Sequence, residues 1–425
     1  MARSGGKGSI RILCAALVVA STASACGNRS GTTGGTPTIN WYIFPEPSGS
    51  FDKAAAECTQ ASNGEYRIVI HDLPASADGQ RQQMALRLAA GDTSLDILGL
   101  DVTWTPEFAE AGWIAPWPDA RAAAVKKGTL PTMVQTGSWK GRLYSAPFNT
   151  NTQLLWYRQD LVPNPPKTWA EMLDMAGKLA DQGKPHYVEI QGAQYEGYTV
   201  WFNTLVNSAG GRVLTPNGQH VVLGQPVEKA LAIIHDLAHS PAADPSISTQ
   251  MEDQNRLAFE SGSAPFELNY PFVYPSAKAD VPKIFKQMRW APYPRVSANE
   301  PAHVTIGGID LAVSSHSRHQ QQAFDAIQCL REPSREVRNA VDGGLPPVLI
   351  SVYHDPSFQK LYPFWKTILS ELQQASVRPQ TPAYQSVSLA ISFSLSPPSG
   401  VDPKATLETL RSRIQAAIES KGLVP

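Results

Sequence analysis

The sequence has few charged side chains and few cysteines. Charged residues make up 17% of its 425 residues, and 36 Lys and Arg against 37 Asp and Glu give a formal charge of −1. No run of basic residues offers a phosphate-neutralising face, which argues against nucleic acid as a partner. The four cysteines, at the widely spaced positions 14, 26, 58 and 329, exclude a disulfide scaffold or a zinc ribbon. The 42% hydrophobic content predicts a folded protein, and the length predicts two domains.

Local signatures of several enzyme classes are missing. The sequence contains no G-x-S-x-G, Walker or G-x-G-x-x-G motif, so serine hydrolases, NTPases and dinucleotide enzymes lack support. His235 and His239 have helical i, i+4 spacing, but Asp236 follows where a zinc peptidase has Glu and no third ligand is suggested. We interpret this segment as a solvent-exposed helix face. A glycosidase built from two distant carboxylates remains an alternative.

The N-terminal segment has the features of a bacterial lipoprotein signal. Three basic residues precede an apolar stretch at 12–20, which is too short for a stable membrane span, and Cys26 follows Ala-Ser-Ala. We predict a signal peptide at 1–25, lipidation of Cys26 and a flexible Gly- and Ser-rich tether at 26–37. The protein is then anchored on the outer face of the cell membrane. Simple secretion after cleavage is the alternative.

Export changes the interpretation of the cysteines. Cys14 leaves with the signal peptide and Cys26 is lipidated, so Cys58 and Cys329 remain as a pair in a compartment where disulfides persist. We hypothesise that these two are bonded. Two buried free thiols are the alternative.

Beyond the tether, strand and helix patterns alternate, which predicts the α/β class. Predicted strands lie at 38–44, 66–70, 95–100, 143–147, 152–157, 187–190, 264–268 and 306–313. Predicted helices lie at 50–62, 78–90, 105–111, 169–182, 200–209, 227–239, 319–330, 363–375 and 406–421. Thr168 is the expected N-cap of the helix that starts at Trp169.

Aromatic residues are numerous, with ten Trp and thirteen Tyr, and several stand beside carboxylates and amides. A pyranose offers apolar faces to aromatic rings and hydroxyl pairs to carboxylates, amides or guanidinium groups, so this mixture suits a sugar site. Five tryptophans are predicted to be core residues instead: Trp113, Trp117, Trp156, Trp169 and Trp201.

Longer motifs carry a resemblance to a known family. The segments 80–112, 144–160 and 191–198, with Gly-Gly-Leu-Pro from Gly343, resemble the sugar-binding lipoproteins of ABC importers over nearly the whole mature chain. Ser-Val-Arg-Pro-Gln-Thr-Pro-Ala-Tyr-Gln from Ser376 is most similar to the trehalose-binding lipoproteins of mycobacteria. The resemblance implies a two-lobed periplasmic-binding-protein fold of the maltose-binding type, with the ligand cleft between the lobes.

The resemblance also implies that neither lobe is contiguous. We place the first crossing between lobes near Asn149. Lobe one is expected to comprise 38–147 plus 304–356, and lobe two 151–303 plus 357–425.

A set of ligand-binding residues follows from the resemblance and the residue chemistry. Glu46 and Asp101 are expected to accept hydrogen bonds from hydroxyl pairs, Asn151 to donate and accept near the hinge, Tyr270 to stack on a sugar ring and Arg378 to donate a fork of hydrogen bonds; Tyr195, Glu196, Gly307 and Gly308 are further candidates.

The implied function is that of a substrate-binding lipoprotein that captures trehalose by cleft closure. Its partners would be permease subunits in the membrane with a cytoplasmic ATPase, and outside that complex it would be a monomer. Neither a cofactor nor a catalytic residue is implied. Another disaccharide such as maltose is the main alternative, and a secreted glycosidase or an envelope-structural lipoprotein are the others.

Overall fold

A computed structural model describes residues 35–420. The predicted signal peptide, Cys26 and most of the predicted tether lie outside the described residues. From Thr36 onward the described chain forms one compact unit. None of the helices in this part of the chain combines the length and the apolar character needed to cross a membrane.

The strands of the described chain are β1 (Thr38–Ile43), β2 (Arg67–Asp72), β3 (Ile97–Asp101), β4 (Ser138–Trp139), β5 (Arg142–Leu143), β6 (Ser145–Asn151), β7 (Leu154–Arg158), β8 (Val188–Glu189), β9 (Phe266–Asn269), β10 (Met288–Ala291) and β11 (Gly307–Val313). The helices are α1 (Ser50–Ala61), α2 (Ala77–Ala89), α3 (Thr105–Glu110), α4 (Asp119–Lys126), α5 (Pro131–Thr136), α6 (Trp169–Asp181), α7 (Glu196–Ser208), α8 (Gln225–Ala238), α9 (Glu252–Ser261), α10 (Val273–Asp280), α11 (Pro282–Phe285), α12 (Gln320–Leu330), α13 (Pro333–Gly343), α14 (Ile350–Tyr353), α15 (Pro356–Leu361), α16 (Trp365–Gln374), α17 (Tyr384–Leu395) and α18 (Pro403–Ile418). Two short 3-10 helices lie at Ile247–Thr249 and Pro398–Gly400.

The strands form two main sheets and a hairpin. The first sheet has the order β2-β1-β3-β11-β6, and the second has the order β10-β7-β9-β8. In the first sheet β1 runs parallel to β2 and β3, whereas β11 runs antiparallel to β3 and β6. In the second sheet β7 is antiparallel to β9 and β10, and β8 is parallel to β9. The hairpin pairs β4 with β5.

The first sheet is covered by α1 and α12 on one face. Its buried core includes Ile39, Trp41 and Phe324, which are at most 4% exposed. A disulfide joins Cys58 on α1 to Cys329 on α12, with their Cα atoms 5.8 Å apart. The hypothesis of a bonded pair is therefore confirmed, and the bond ties together two helices that the sequence separates by 271 positions.

The second sheet shares a core with α6, α7, α8, α17 and α18. Helix α8 shows how the sequence builds it, because Val227, Leu231 and Ile234 recur at helical spacing and are fully buried. The apolar face of α18, with Leu410 and Ile414, covers the same core. Both helices are stabilised mainly by burying their apolar faces in this shared core.

The predicted alternation of strands and helices is confirmed, with boundary shifts of a few residues. The Thr168 hydroxyl accepts a hydrogen bond from the Glu171 amide at 3.2 Å and caps α6 as expected. Four of the five predicted core tryptophans are at most 2% exposed, and Trp113 is partly buried against the core near α3. Several elements were not predicted, chiefly α9, α13, α17 and the short strand β10.

Candidate ligand-binding site

The chain passes between the two sheets through segments that lie side by side. The first sheet's β6 ends at Asn151, and the second sheet's β7 begins at Leu154, slightly later than the crossing expected near Asn149. A second segment, 304–306, leads from the second sheet into β11. Thr305 pairs in parallel with Ser376, whose amide donates to the Val304 carbonyl at 2.8 Å. These paired segments position the polar side chains around them.

Arg378 connects the end of the first sheet to a helix of the second core. Its guanidinium Nη2 donates to both carboxylate oxygens of Asp101, at 3.1 and 3.3 Å, and its Nη1 donates to Glu196. The Arg378 side chain is only 2% exposed, whereas the Asp101 side chain is 18% exposed. A guanidinium stays charged in proteins, so these two carboxylates balance a buried positive charge.

Asp101 is the last residue of β3, and a local turn orients its carboxylate. The Thr103 amide donates to Oδ1 at 2.9 Å and the Thr103 hydroxyl donates to the same atom at 2.7 Å. Because Oδ2 accepts only the longer Arg378 bond among these contacts, it retains lone pairs for another donor.

Glu196 lies beneath Arg378 as the first residue of α7. Besides Arg378, its oxygens accept from the hydroxyls of Tyr384, at 2.5 Å, and Ser388. Burial raises the pKa of Glu196, and the charge of Arg378 opposes that shift. Both oxygens are thus engaged with protein groups, which fits a residue that supports Arg378. The expectation that Glu196 contacts the ligand stays a prediction.

Two tyrosines border the same cluster. Tyr270 follows β9, and burial together with the nearby Glu252 carboxylate raises the pKa of its phenol. The charges of Arg378 and Asp101 also act on that pKa, Arg378 lowering it and Asp101 raising it. Tyr195 is buried and precedes α7, and burial followed by the Glu252 charge raises the pKa of its hydroxyl. Both phenols thus feel the charge of nearby carboxylates, and the contact of either ring with a sugar stays a prediction.

The crossing segment carries buried polar atoms without partners. Within residues 35–420 the following atoms make no hydrogen bond: Asn149 Nδ2, Asn151 Oδ1, Thr152 Oγ1, Gln153 Oε1 and Arg378 Nε. A buried polar group left unpaired costs about 1–3 kcal/mol, so such a group favours a ligand that supplies the missing donor or acceptor. Asn149 and Asn151 alternate along β6, and their side chains therefore share one face.

Asn149, Thr152 and Gln153 were not among the predicted site residues. The signal for Asn149 was the period of two along β6 from Asn151, whereas Thr152 and Gln153 follow the strand and carried no such signal. Gln153 donates to Gln191, which in turn donates to Asn255 at 2.8 Å, so it is held from the second core. The sequence gives no sign of that buried amide chain because its members lie far apart.

Gly307 and Gly308 begin β11 beside this segment. Gly307 pairs with Asn151, and Gly308 pairs with Thr150. Gly308 has a φ of +128°, and a Cβ there would lie 2.3 Å from the Asn149 carbonyl oxygen. Glycine is thus required at 308 for this close approach of two strands. A direct contact of either glycine with ligand stays a prediction.

Glu46 has a local structural role. Its carboxylate accepts from the amides and hydroxyls of Ser48 and Ser50, at 2.7–3.0 Å, where α1 begins. The same carboxylate lies next to Gly343, and Gly344 packs against Phe272 from beyond the second sheet. These hydrogen bonds anchor the start of α1, and the expected contact of Glu46 with the ligand stays a prediction.

Sequence comparison relates the chain to transport proteins. Residues 45–334 match the family of bacterial extracellular solute-binding proteins. A probable ABC transporter-binding protein of Deinococcus radiodurans is 28% identical over 328 residues, which are 74% of this chain and 76% of that protein. A maltotriose-binding protein of Pyrococcus abyssi is 23% identical over 331 residues, which are 73% of this chain and 68% of that protein.

Solved structures give the same result. The maltose-bound T. maritima protein MalE3 superposes with a TM-score of 0.81 at 26% identity, covering 89% of this chain and 98% of that chain. A solute-binding protein of Thermotoga lettingae bound with α-D-tagatose superposes with a TM-score of 0.78 at 22% identity, covering 90% and 100%. The predicted maltose-binding-like fold is confirmed. The chain belongs to the family of bacterial extracellular solute-binding proteins.

Proposed function

We propose that this solute-binding protein captures trehalose in the cleft at the crossing segments and delivers it to an ABC permease. Membership of the family makes it a binding protein rather than an enzyme. Sugar as the solute class is supported by the maltotriose-binding relative and by the maltose-bound structure. Trehalose in particular rests on the resemblance of the segment that begins at Ser376 and carries Arg378.

The contact of Arg378 with both Asp101 and Glu196 is the observation that carries the proposal. Arg378 joins the end of a strand in the first sheet to the second core. Its own Nε is one of the buried polar atoms that make no hydrogen bond within residues 35–420. A disaccharide hydroxyl would donate to Asp101 and accept from Arg378, while Tyr270 would cover an apolar ring face. A ligand that contacts both sides shifts the hinge equilibrium toward the closed form by its differential affinity.

Anchoring at the cell surface is part of the same proposal. Lipidation of Cys26, followed by the tether, would hold the binding protein beside the permease. Mass spectrometry of the membrane fraction would show a diacylglyceryl-modified N-terminal peptide beginning at Cys26. An unmodified mature protein in the culture medium would instead indicate simple secretion.

Thermal unfolding of the protein with trehalose, maltose, sucrose or glucose tests the ligand. A ligand at a hundred times its Kd stabilises the folded state by about 2.7 kcal/mol. We expect a shift with trehalose. A shift with maltose alone would favour the second candidate, which the maltotriose-binding relative supports. No shift with any of the four sugars would refute trehalose capture.

Calorimetric titration of two matched variants tests the site. Asp101→Ala removes a charged hydrogen-bond acceptor at the end of β3, and we expect sugar affinity to fall about ten- to a hundredfold. Asp72→Ala removes the corresponding exposed carboxylate at the end of β2 and should leave affinity unchanged. Full affinity in Asp101→Ala would remove this carboxylate from the site.

A further inference from the structure

One face of α8 has a histidine pair that sugar capture does not explain. His235 and His239 are separated by one helical turn, so their side chains lie on the same side of the helix. Their ring centroids are 4.1 Å apart, with the ring planes inclined by 33°. His235 is half-buried and His239 is exposed, which leaves the pair open to solvent on one side.

Backbone carbonyls fix the tautomer of both rings. His235 Nδ1 lies 2.8 Å from the Val401 carbonyl oxygen, and His239 Nδ1 lies 2.8 Å from the His235 carbonyl oxygen. A carbonyl oxygen only accepts hydrogen bonds, so each Nδ1 carries the proton and donates. The lone pair of each neutral imidazole is consequently on Nε2. Metal-binding histidines are usually oriented in this way, with the second ring nitrogen donating to a carbonyl or a carboxylate.

The position on the helix also favours a cation. His239 is the C-cap of α8, which has 14 residues. The aligned peptide dipoles place partial negative charge at a helix C-terminus, and this stabilises positive charge there. The pair therefore combines two adjacent Nε2 lone pairs with a favourable local field.

We propose that His235 and His239 bind one divalent transition-metal ion through their Nε2 atoms, with water as the remaining ligands. Imidazole nitrogen suits Cu²⁺, Ni²⁺ and Zn²⁺, and affinity for a given site of this kind is highest for Cu²⁺. Across residues 35–420 no group of three or more His, Cys, Asp or Glu side chains is arranged to hold a metal. The site is thus a two-residue chelate at the protein surface, separate from the proposed sugar cleft.

Calorimetric titration of the full chain with CuCl₂ tests the proposal, using protein without a polyhistidine tag in a non-coordinating buffer. We expect one Cu²⁺ per chain, and about tenfold or more weaker binding in His239→Ala, because the second imidazole binds intramolecularly. The double variant Asp236→His, His239→Ala keeps nine histidines but moves one to a neighbouring exposed position off the shared face, and it should be equally weakened.

His186→Ala is the matched control. His186 Nδ1 also contacts a backbone carbonyl, that of Lys184 at 2.6 Å, but no other histidine stands one helical turn away. Its loss should leave Cu²⁺ affinity unchanged, and electron paramagnetic resonance of the wild type should show two imidazole nitrogens on the bound Cu²⁺. Equal Cu²⁺ affinity in the wild type and His239→Ala, or an equal loss in His186→Ala, would overturn the proposal.

Discussion

Replacing Glu267 by Gln should change how stability depends on pH. Glu267 lies on β9 with no exposed surface, in register with Glu189 on β8. Its Oε1 accepts from Asn269 at 2.6 Å, and its Oε2 makes no hydrogen bond within residues 35–420. Burial raises the pKa of Glu189 and that of Glu267 to about 8.

The direction in which the unfolding free energy changes with pH follows from the number of protons that the folded and the unfolded states bind. Between pH 4.5 and about 8 the folded protein retains a proton on Glu267 that the unfolded chain has released. The contribution of this group is therefore fully present below pH 4.5 and is lost as the pH rises through the folded pKa. One retained proton gives a slope of about 1.4 kcal/mol per pH unit, or up to about 5 kcal/mol over the whole interval.

Gln has nearly the shape of the protonated carboxyl group and does not titrate. At pH 5 we expect the free energy of unfolding of Glu267→Gln to lie within about 1 kcal/mol of the wild-type value, because the Gln carbonyl still accepts the hydrogen bond from Asn269. At pH 9 the variant should be several kcal/mol more stable than the wild type, since it avoids a buried charge next to Glu189.

Urea unfolding followed by tryptophan fluorescence at pH 5, 6, 7, 8 and 9 measures this difference directly. The contributions of other buried carboxyl groups, such as Asp310 and Glu336, cancel in the difference between the two proteins, because both proteins contain them. Glu65→Gln, at an exposed position, should follow the wild-type curve at every pH. Parallel curves for Glu267→Gln and the wild type would refute the reasoning.

Three further predictions concern other parts of the structure. Replacing both Cys58 and Cys329 by Ala should lower the free energy of unfolding by about 5 kcal/mol, because the bond closes a very long loop; chemical denaturation with and without reductant measures this. Gln385→Ala removes the 2.7 Å hydrogen bond that α17 donates to a carboxylate on α2; because this bond joins the second core to a helix next to the first sheet, we expect it to favour the ligand-binding closed form, so sugar affinity should fall roughly fivefold, about 1 kcal/mol, and unchanged calorimetric affinity would contradict this. Gly308→Ala should destabilise by about 2 kcal/mol or more in thermal unfolding, whereas Gly307→Ala, whose Cβ would meet nothing closer than 3.5 Å, should be tolerated.

Local signals explain what the sequence predicted well. The Thr168 cap, the apolar spacing of α8 and the strand at β1 depend on neighbours within a few positions. Helix α17 escaped prediction because Tyr384–Leu395 alternates serine with apolar residues and has no capping side chain. Its helical state comes from packing against α7 and α18, which the local sequence does not display.

In the candidate site, too, the sequence indicated individual residues but not the contacts between residues that lie far apart in the chain. The contact between Asp101 and Arg378 joins residues that are 277 positions apart, and the resemblance selected both without indicating that they touch. The support of Glu196 by Tyr384 and Ser388 was not predicted, because α17 itself was not. The hydrogen bonds that the neighbouring serines donate to Glu46 were not predicted either, and its expected contact with the ligand stays a prediction.

The second core has a consequence for biogenesis. Leu155 and Leu231 are buried in the same cluster as Leu410 and Ile414, so the cluster is completed only by the last helix of the described chain. During synthesis these early segments cannot reach their native partners, and high contact order slows their folding afterwards. A nascent chain halted before α18 would therefore expose apolar surface on α8.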